Sequence, residues 1–192
     1  MKLLLATNNV NKRIEFQSLL PATISLLSLE DVAIHEELPE HEKTIEGNSL
    51  SKAKYASEKA GIPCMAEDTG LEVYAINNEP GVYSARYAGE NATSADNIKL
   101  LLHKLHTISD RKARFKTVIT YYENGQYEQF EGIIEGSIAE FEKGSNGFGY
   151  DSVFIPIGLD KTFAEMNLEQ KNEYSHRKRA FVRFLSFYRN KL

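Results

Sequence analysis

The segment Gly144-Ser145-Asn146-Gly147-Phe148-Gly149-Tyr150-Asp151 sets three glycines around two aromatic rings and ends in a carboxylate. Glycine permits positive φ and close backbone approach, and a Phe or Tyr face offers a base about 1–3 kcal/mol of stacking without reading its identity. The loop fits a planar ligand such as a nucleotide; it fits as well a hairpin turn whose aromatics anchor it to the core. Thr7-Asn8-Asn9-Val10-Asn11-Lys12 brings capping side chains, a helix start and a lysine to the end of an apolar strand. That combination suits an anion at a strand-to-helix switch, or simply a well-capped helix with a solvated lysine. Neither the P-loop nor the dinucleotide glycine spacing occurs, which disfavours both enzyme classes.

Glu67-Asp68-Thr69-Gly70 places two carboxylates directly after an apolar strand, where an α/β sheet puts its ligand crevice. Successive strand residues point to opposite faces, so one of the two faces the crevice, and Asp68 is the candidate. Asp68 and Glu40 are hard oxygen donors of the kind Mg²⁺ takes alongside waters and phosphates. No cysteine cluster or His-x-x-x-His pair speaks for zinc. Glu36, Glu37, Glu40 and Glu42 read otherwise as a solvated acidic loop. Lys171, His176, Arg177, Lys178 and Arg179 gather cations near a helix start capped by Ser175. A cation there opposes the helix dipole, so His176 and Arg177 sit against local preference and are candidates to donate hydrogen bonds to a purine carbonyl.

The elements that must position these groups are legible from periodicity. Leu3-Leu4-Leu5-Ala6 is a strand buried on both faces. A helix follows, capped by Asn9 or Asn11, with Ile14, Leu19 and Leu20 toward the core and Pro21 at its end. Residues 24–29 read as a second strand, 35–47 as a polar loop, and 48–60 as a helix capped by Asn48 and closed by Gly61. A short strand, 64–67, leads to Asp68. Thr93-Ser94-Ala95-Asp96 has capping-box spacing ahead of Ile98, Leu101, Leu102 and Leu105. Segments 114–122 and 126–134 flank Asn124-Gly125, a strong hairpin signal, with apolar residues at Val118, Tyr127, Phe130 and Ile133. Ala180, Phe181, Phe184, Leu185 and Tyr188 give the last helix one apolar face. Strands alternating with helices early and pairing as a hairpin later predict an α/β protein with a mixed sheet.

The 192 residues, 42% hydrophobic, suffice for one well-cored domain, expected over 1–192. A net charge of −4 and a pI near 5.8 argue against a protein that coats nucleic acid polymers or anionic membranes. The single Cys64 excludes an internal disulfide and reads as a small buried hydrophobe. Met1 leads straight into a strand without a charged leader, and no apolar run approaches the ~18 residues of a spanning helix. A cytoplasmic location is expected.

Taken together and in order, these segments resemble the noncanonical purine nucleoside triphosphate pyrophosphatases, the inosine triphosphatase family. The resemblance runs from residue 3 to about 185. It rests on Leu5 to Lys12, Leu38-Pro39-Glu40, 48–54, Ala66-Glu67-Asp68-Thr69-Gly70-Leu71, Pro80-Gly81-Val82-Tyr83-Ser84-Ala85-Arg86-Tyr87, Gly147-Phe148-Gly149-Tyr150-Asp151, and Lys171 with Ser175-His176-Arg177. It implies an elongated mixed β-sheet flanked by helices, with two lobes and the active-site cleft between them. It implies Mg²⁺-dependent hydrolysis of ITP, dITP and XTP to the monophosphate and pyrophosphate, by a homodimer.

By position, the resemblance assigns Thr7, Asn8, Asn9, Val10, Asn11 and Lys12 to the triphosphate, with Lys12 the charged contact. Glu40 and Asp68 would hold Mg²⁺, Asp68 doubling as base, and Thr69 would touch substrate. Phe148, Gly149, Tyr150 and Asp151 would stack and orient base and sugar, and Lys171, His176 and Arg177 would complete recognition. The chain departs from the family's usual Thr-Phe-x-Glu-Asn-Ala at Thr44-Ile45-Glu46-Gly47-Asn48-Ser49, and from a frequent second Asp at Glu67. The glutamate-rich helix of Nudix hydrolases is absent, and the Ser-x-Arg-Arg element of the Maf pyrophosphatases is replaced by Asn9-Val10-Asn11-Lys12. A nucleotide sensor lacking chemistry would keep the pocket but has no need of Asp68, Glu40 and Lys12 together.

Overall fold

Alternate side chains of a strand face opposite ways, and β1 (Lys2–Ala6) uses both faces in the computed structural model, which describes residues 2–21 and 24–191. Leu3 and Leu5 join a cluster with Phe16, Met65, Phe181 and Phe184. Leu4 and Ala6 join another with Ala53, Ala56, Cys64 and Ala66. A strand so covered has no polar side to show, hence its continuous apolar run.

Asn9 caps α1 (Val10–Leu19), its side chain accepting the Lys12 amide at 3.1 Å, and Asn11 lies inside the helix. That start turns Glu15 and Phe16 inward. Ile14, expected on the core face, stands about 200° around from Phe16 and is 48% exposed; Phe16 packs edge-on against Phe181 in its place. β2 (Ser25–Leu27) pairs parallel with β1 and is shorter than expected, because Leu29 starts a 3₁₀ turn. α2 (Ile45–Ala60) begins three residues before the predicted cap. Thr44 is the true cap, accepting the Gly47 amide at 3.0 Å, while Asn48 is buried within the helix. The predicted stop is observed: Gly61 takes φ 68°.

β3 (Cys64–Val73) pairs parallel with β1 and runs on past Asp68. β4 (Glu79–Gly81) lies antiparallel on its later half. α3 (Ser94–Lys104) carries the expected capping box between Thr93 and Asp96. β5 (Lys112–Glu123) and β6 (Gln126–Ile138) flank Asn124 and Gly125, both at positive φ, the backbone a tight I′ turn demands. Tyr127, at the exposed end of this hairpin, does not join the core. β7 (Phe154–Pro156) pairs antiparallel with β6. α4 (Leu168–Tyr174), which the sequence did not announce, is capped reciprocally by Asn167 and Gln170. α5 (His176–Arg189) starts at Ser175, whose hydroxyl accepts the Lys178 amide at 3.1 Å.

The strands follow the order β2-β1-β3-β5-β6-β7, with β4 on β3, so the sheet is mixed as expected. The chain divides into two compact units. The first comprises Met1–Asp68, Thr117–Gly132 and Arg179–Leu192. Its core is the two clusters on either face of β1. Cys64 belongs to it with no exposed surface, and burial pushes its thiol above the ordinary range. The second comprises Thr69–Lys116 and Ile133–Lys178, with a core including Leu71, Leu101, Phe115, Phe154 and Phe163. The chain first passes from the first unit to the second at the Asp68–Thr69 bond. Among the described residues, no helix is long and apolar enough to cross a membrane.

Candidate active site

In the first unit, β1 leads into Thr7, whose hydroxyl accepts the Asn9 amide at 3.2 Å. Asn8, Asn9, Val10 and Asn11 are all exposed at the α1 N-terminus, where helix amides and dipole favour an anion. Lys12 reaches back from the first turn, and its Nζ lies 2.8 Å from Glu67 Oε1. The Glu67 side chain is fully buried and that of Lys12 is 15% exposed. The residue whose role the sequence left in doubt thus holds the phosphate-binding candidate at the strand edge.

Asp68 sits one residue on, also buried. Its Oδ1 accepts from Lys52 Nζ at 2.9 Å, and its Oδ2 accepts from the Asn48 amide group at 3.4 Å. Lys52 Nζ also donates to Glu40 Oε1 at 2.7 Å. Asn48 Oδ1 accepts the Glu42 backbone amide at 3.0 Å, tying the 38–42 loop to the same helix. Burial raises the Asp68 carboxyl above its usual range, and the nearby Lys52 and Lys12 charges oppose this only in part. Burial works against the Lys52 ammonium too, yet Asp68 and Glu40 outweigh it and its pKa rises. Lys52 is therefore a fixed cation.

Lys52 was absent from the sequence candidates. Its signal was available: Asn48, Ser49, Lys52, Ala53 and Ala56 fall on one helical face, and all are buried. A lysine on a stripe of small residues is placed inward, and an inward lysine needs acidic partners. Taking Asn48 as a cap places it outside the helix and hides that face.

No group of three or more His, Cys, Asp or Glu residues suited to a metal occurs among the described residues. Glu40 and Asp68 nonetheless converge, since one oxygen of each lies within hydrogen-bond reach of the same Nζ. Two hard carboxylates that share one cation fit Mg²⁺, which needs few protein ligands and keeps its waters.

In the second unit, Gly147 takes φ 73°, and a Cβ there would fall 2.1 Å from Asp151 Oδ2. The glycine lets the loop close over that carboxylate, which accepts the Phe148 amide at 2.9 Å and Lys171 Nζ at 2.5 Å. Both side chains of the Asp151–Lys171 pair are almost fully buried. Lys171 Nζ lies 5.0 Å from the centre of the half-buried Phe148 ring, and the Arg177 guanidinium 5.7 Å. Arg177 also donates to Thr69 Oγ1 at 3.4 Å, and His176 stacks on Phe115 with centroids 4.7 Å apart. Gly149 opens a 3₁₀ turn at φ 59°. Tyr150 differs from the expectation of a second stacking ring. It is packed in the core, and its hydroxyl donates to the Ser84 carbonyl at 3.0 Å. A ring packed in the core anchors the loop and leaves Phe148 as the candidate for stacking.

The predicted residues thus fall into two sets: Thr7 to Lys12, Glu40 and Asp68 in the first unit, and Thr69, Phe148 to Asp151, Lys171, His176 and Arg177 in the second. The sequence profile of the Ham1 family matches residues 3–187. The chain is 54% identical over 180 residues to a dITP/XTP pyrophosphatase of Flavobacterium johnsoniae, covering 94% of each chain. It is 47% identical over 190 residues to one of Flavobacterium psychrophilum, covering 99% and 100%. Among solved structures it superposes on the Ham1 protein of Staphylococcus aureus with a TM-score of 0.90, at 36% identity and full coverage of both chains. Profile, relatives and fold agree over essentially the whole length, and the chain belongs to the Ham1 family.

Proposed function

We propose that this chain is a nucleoside triphosphate pyrophosphatase that hydrolyses dITP, ITP and XTP to the nucleoside monophosphate and pyrophosphate. The observation that carries the mechanism is the buried Asp68, held by Lys52 and Asn48 beside the Lys12–Glu67 pair. Such a carboxylate, raised in pKa and fixed in direction, can orient and deprotonate an attacking water. The water oxygen bonds to the α-phosphorus, the bond from that phosphorus to the α–β bridging oxygen breaks, and pyrophosphate leaves with the bridging oxygen. Positioning and charge stabilisation dominate phosphoryl chemistry. Lys12 supplies charge by exchanging Glu67 for phosphate oxygens, and the α1 N-terminus receives the remaining phosphates through the Thr7 to Asn11 backbone. Glu40 and Asp68 would hold Mg²⁺, which when bound neutralises phosphate charge.

The base stacks on Phe148, with Asp151, Lys171, His176 and Arg177 around it. Donors aimed at a 6-oxo group are left unpaired against the 6-amino group of adenine, a mismatch worth on the order of 10⁴-fold. The chemistry clears deaminated purines before they enter DNA or RNA. We place the enzyme in the cytoplasm as a homodimer, acting on free nucleotides and not on nucleic acid polymers or membranes. The lone reduced cysteine and acidic balance support the location, and family resemblance supports the dimer.

Release of pyrophosphate from dITP, ITP, XTP, ATP and GTP, with Mg²⁺ and with chelator, tests the reading. Rapid Mg²⁺-dependent release from the first three alone is expected. Release from none of them by a folded protein that binds nucleotide would refute it. Light scattering on a sizing column tests the dimer.

A further inference from the structure

A chain of hydrogen bonds crosses the first unit from β6 to β3 and ends two residues before Asp68. Gln129 Nε2 carries two hydrogens and spends one on the Glu46 carbonyl at 2.9 Å and the other on Thr120 Oγ1 at 3.0 Å. Ser49 spends its one hydrogen on the Ala66 carbonyl at 3.3 Å. In the 2.8 Å contact between Ser49 Oγ and Thr120 Oγ1, Thr120 is therefore the donor. Ser49 and Thr120 have no exposed surface, so a broken link would leave a hydroxyl unsatisfied away from water.

The chain joins the two elements whose relative setting decides the state of Asp68. Ser49 follows Asn48 and precedes Lys52 by three residues on α2, and those two side chains hold the Asp68 carboxylate. Ala66 is on the same strand as Asp68 and, two residues away, on the same face. We infer that Ser49 is a positioning residue for Asp68, its hydroxyl pinned by Thr120 and Gln129 so that α2 presents Lys52 and Asn48 in register with β3. This rests on the pyrophosphatase reading for its catalytic consequence only. Misplacement of a reacting group by about 1 Å can cost a hundredfold in rate, and a partial loosening of the helix costs less.

The experiment compares Ser49→Ala, the isosteric Thr120→Val and the conservative Thr120→Ser. Two readouts are kcat and KM for dITP, and the side-chain ammonium resonance of Lys52, read by nitrogen-15 NMR without nucleotide. We expect kcat to fall about tenfold in the first two with KM within about twofold, that is, a loss confined to the transition state. The Lys52 resonance should shift in both, and Thr120→Ser should restore both readouts. Lower melting temperatures with wild-type kcat and an unmoved resonance would overturn the inference. So would a change in KM alone. If the wild type itself released no pyrophosphate, the functional reading would fail, and the Lys52 resonance would still decide the positioning claim.

Discussion

Replacing Lys52 with methionine keeps the length of the side chain and removes a cation that Asp68 and Glu40 share. The Lys52 and Asp68 side chains are 4% and 10% exposed, whereas that of Glu40 is 41% exposed. Breaking a buried pair costs roughly 3–5 kcal/mol because a charge stays behind uncompensated. Glu40 can turn to water and adds at most about 1 kcal/mol. Asp68 keeps its long Asn48 bond and the charge of Lys12, which places the expected loss near the lower end, about 3 kcal/mol at pH 7.

For a chain of this length that is about 6–12 °C in melting temperature. Asp68 is already raised above its unfolded value by burial. A carboxylate raised in the folded state costs stability above its folded pKa and costs none below its unfolded pKa. The deficit of Lys52→Met should therefore shrink as pH falls toward the ordinary aspartate range. Urea unfolding followed by circular dichroism at pH 7 and at pH 5 measures it. The double variant Lys52→Met with Asp68→Asn should recover at least half of the loss. A deficit below about 1 kcal/mol at pH 7, or a double variant no more stable than the single, would refute the argument that Lys52 compensates a buried charge.

Asp68→Asn should cut kcat for dITP by at least about a hundredfold, some 2.7 kcal/mol of barrier, in a protein that stays folded; near-normal turnover would remove Asp68 from the reaction. Arg177→Ala should lower the ratio of kcat/KM for dITP over dATP about tenfold or more, and an unchanged ratio would place base reading elsewhere. The Tyr188 hydroxyl is buried with no hydrogen-bond partner among the described residues, so Tyr188→Phe should be neutral or stabilising by up to about 1 kcal/mol, and clear destabilisation in a thermal melt would contradict this. Glu36 bonds to Lys59 and Tyr55, which lower its pKa to about 2. A depressed carboxylate stabilises above its unfolded pKa and loses that as pH falls through the folded one, so the difference between wild type and Glu36→Gln should shrink steadily between pH 4.5 and 2, and a gap that stays constant over that range would count against it.

Local signals were legible where a single rule decided the outcome. The β1 run, the Thr93 capping box, the Asn124-Gly125 turn and the α5 stripe are each written in a short stretch of consecutive residues, whatever distant partners they later meet. Ile14 and Asn48 were misplaced for different reasons. Ile14 and Phe16 stand about 200° apart on α1, so only one of them can face the core, and packing against Phe181 gives that place to Phe16. Thr44, four residues before Asn48, takes the cap and leaves Asn48 inside α2. Lys52 and Ser49 depended on tertiary partners, Asp68 and Thr120, that lie 16 and 71 residues away. No local periodicity names such a partner. Tyr150 looked like Phe148 in composition, but its hydroxyl had a buried carbonyl to reach, and that turned the ring inward.

Cys64, sealed against α2 and raised in pKa by burial, leaves the folded protein without a reactive thiol. Because the one native cysteine is buried, a single engineered surface cysteine becomes a distinct handle. A fluorophore or spin label placed near Phe148 or Asn11 would then test the proposed nucleotide site.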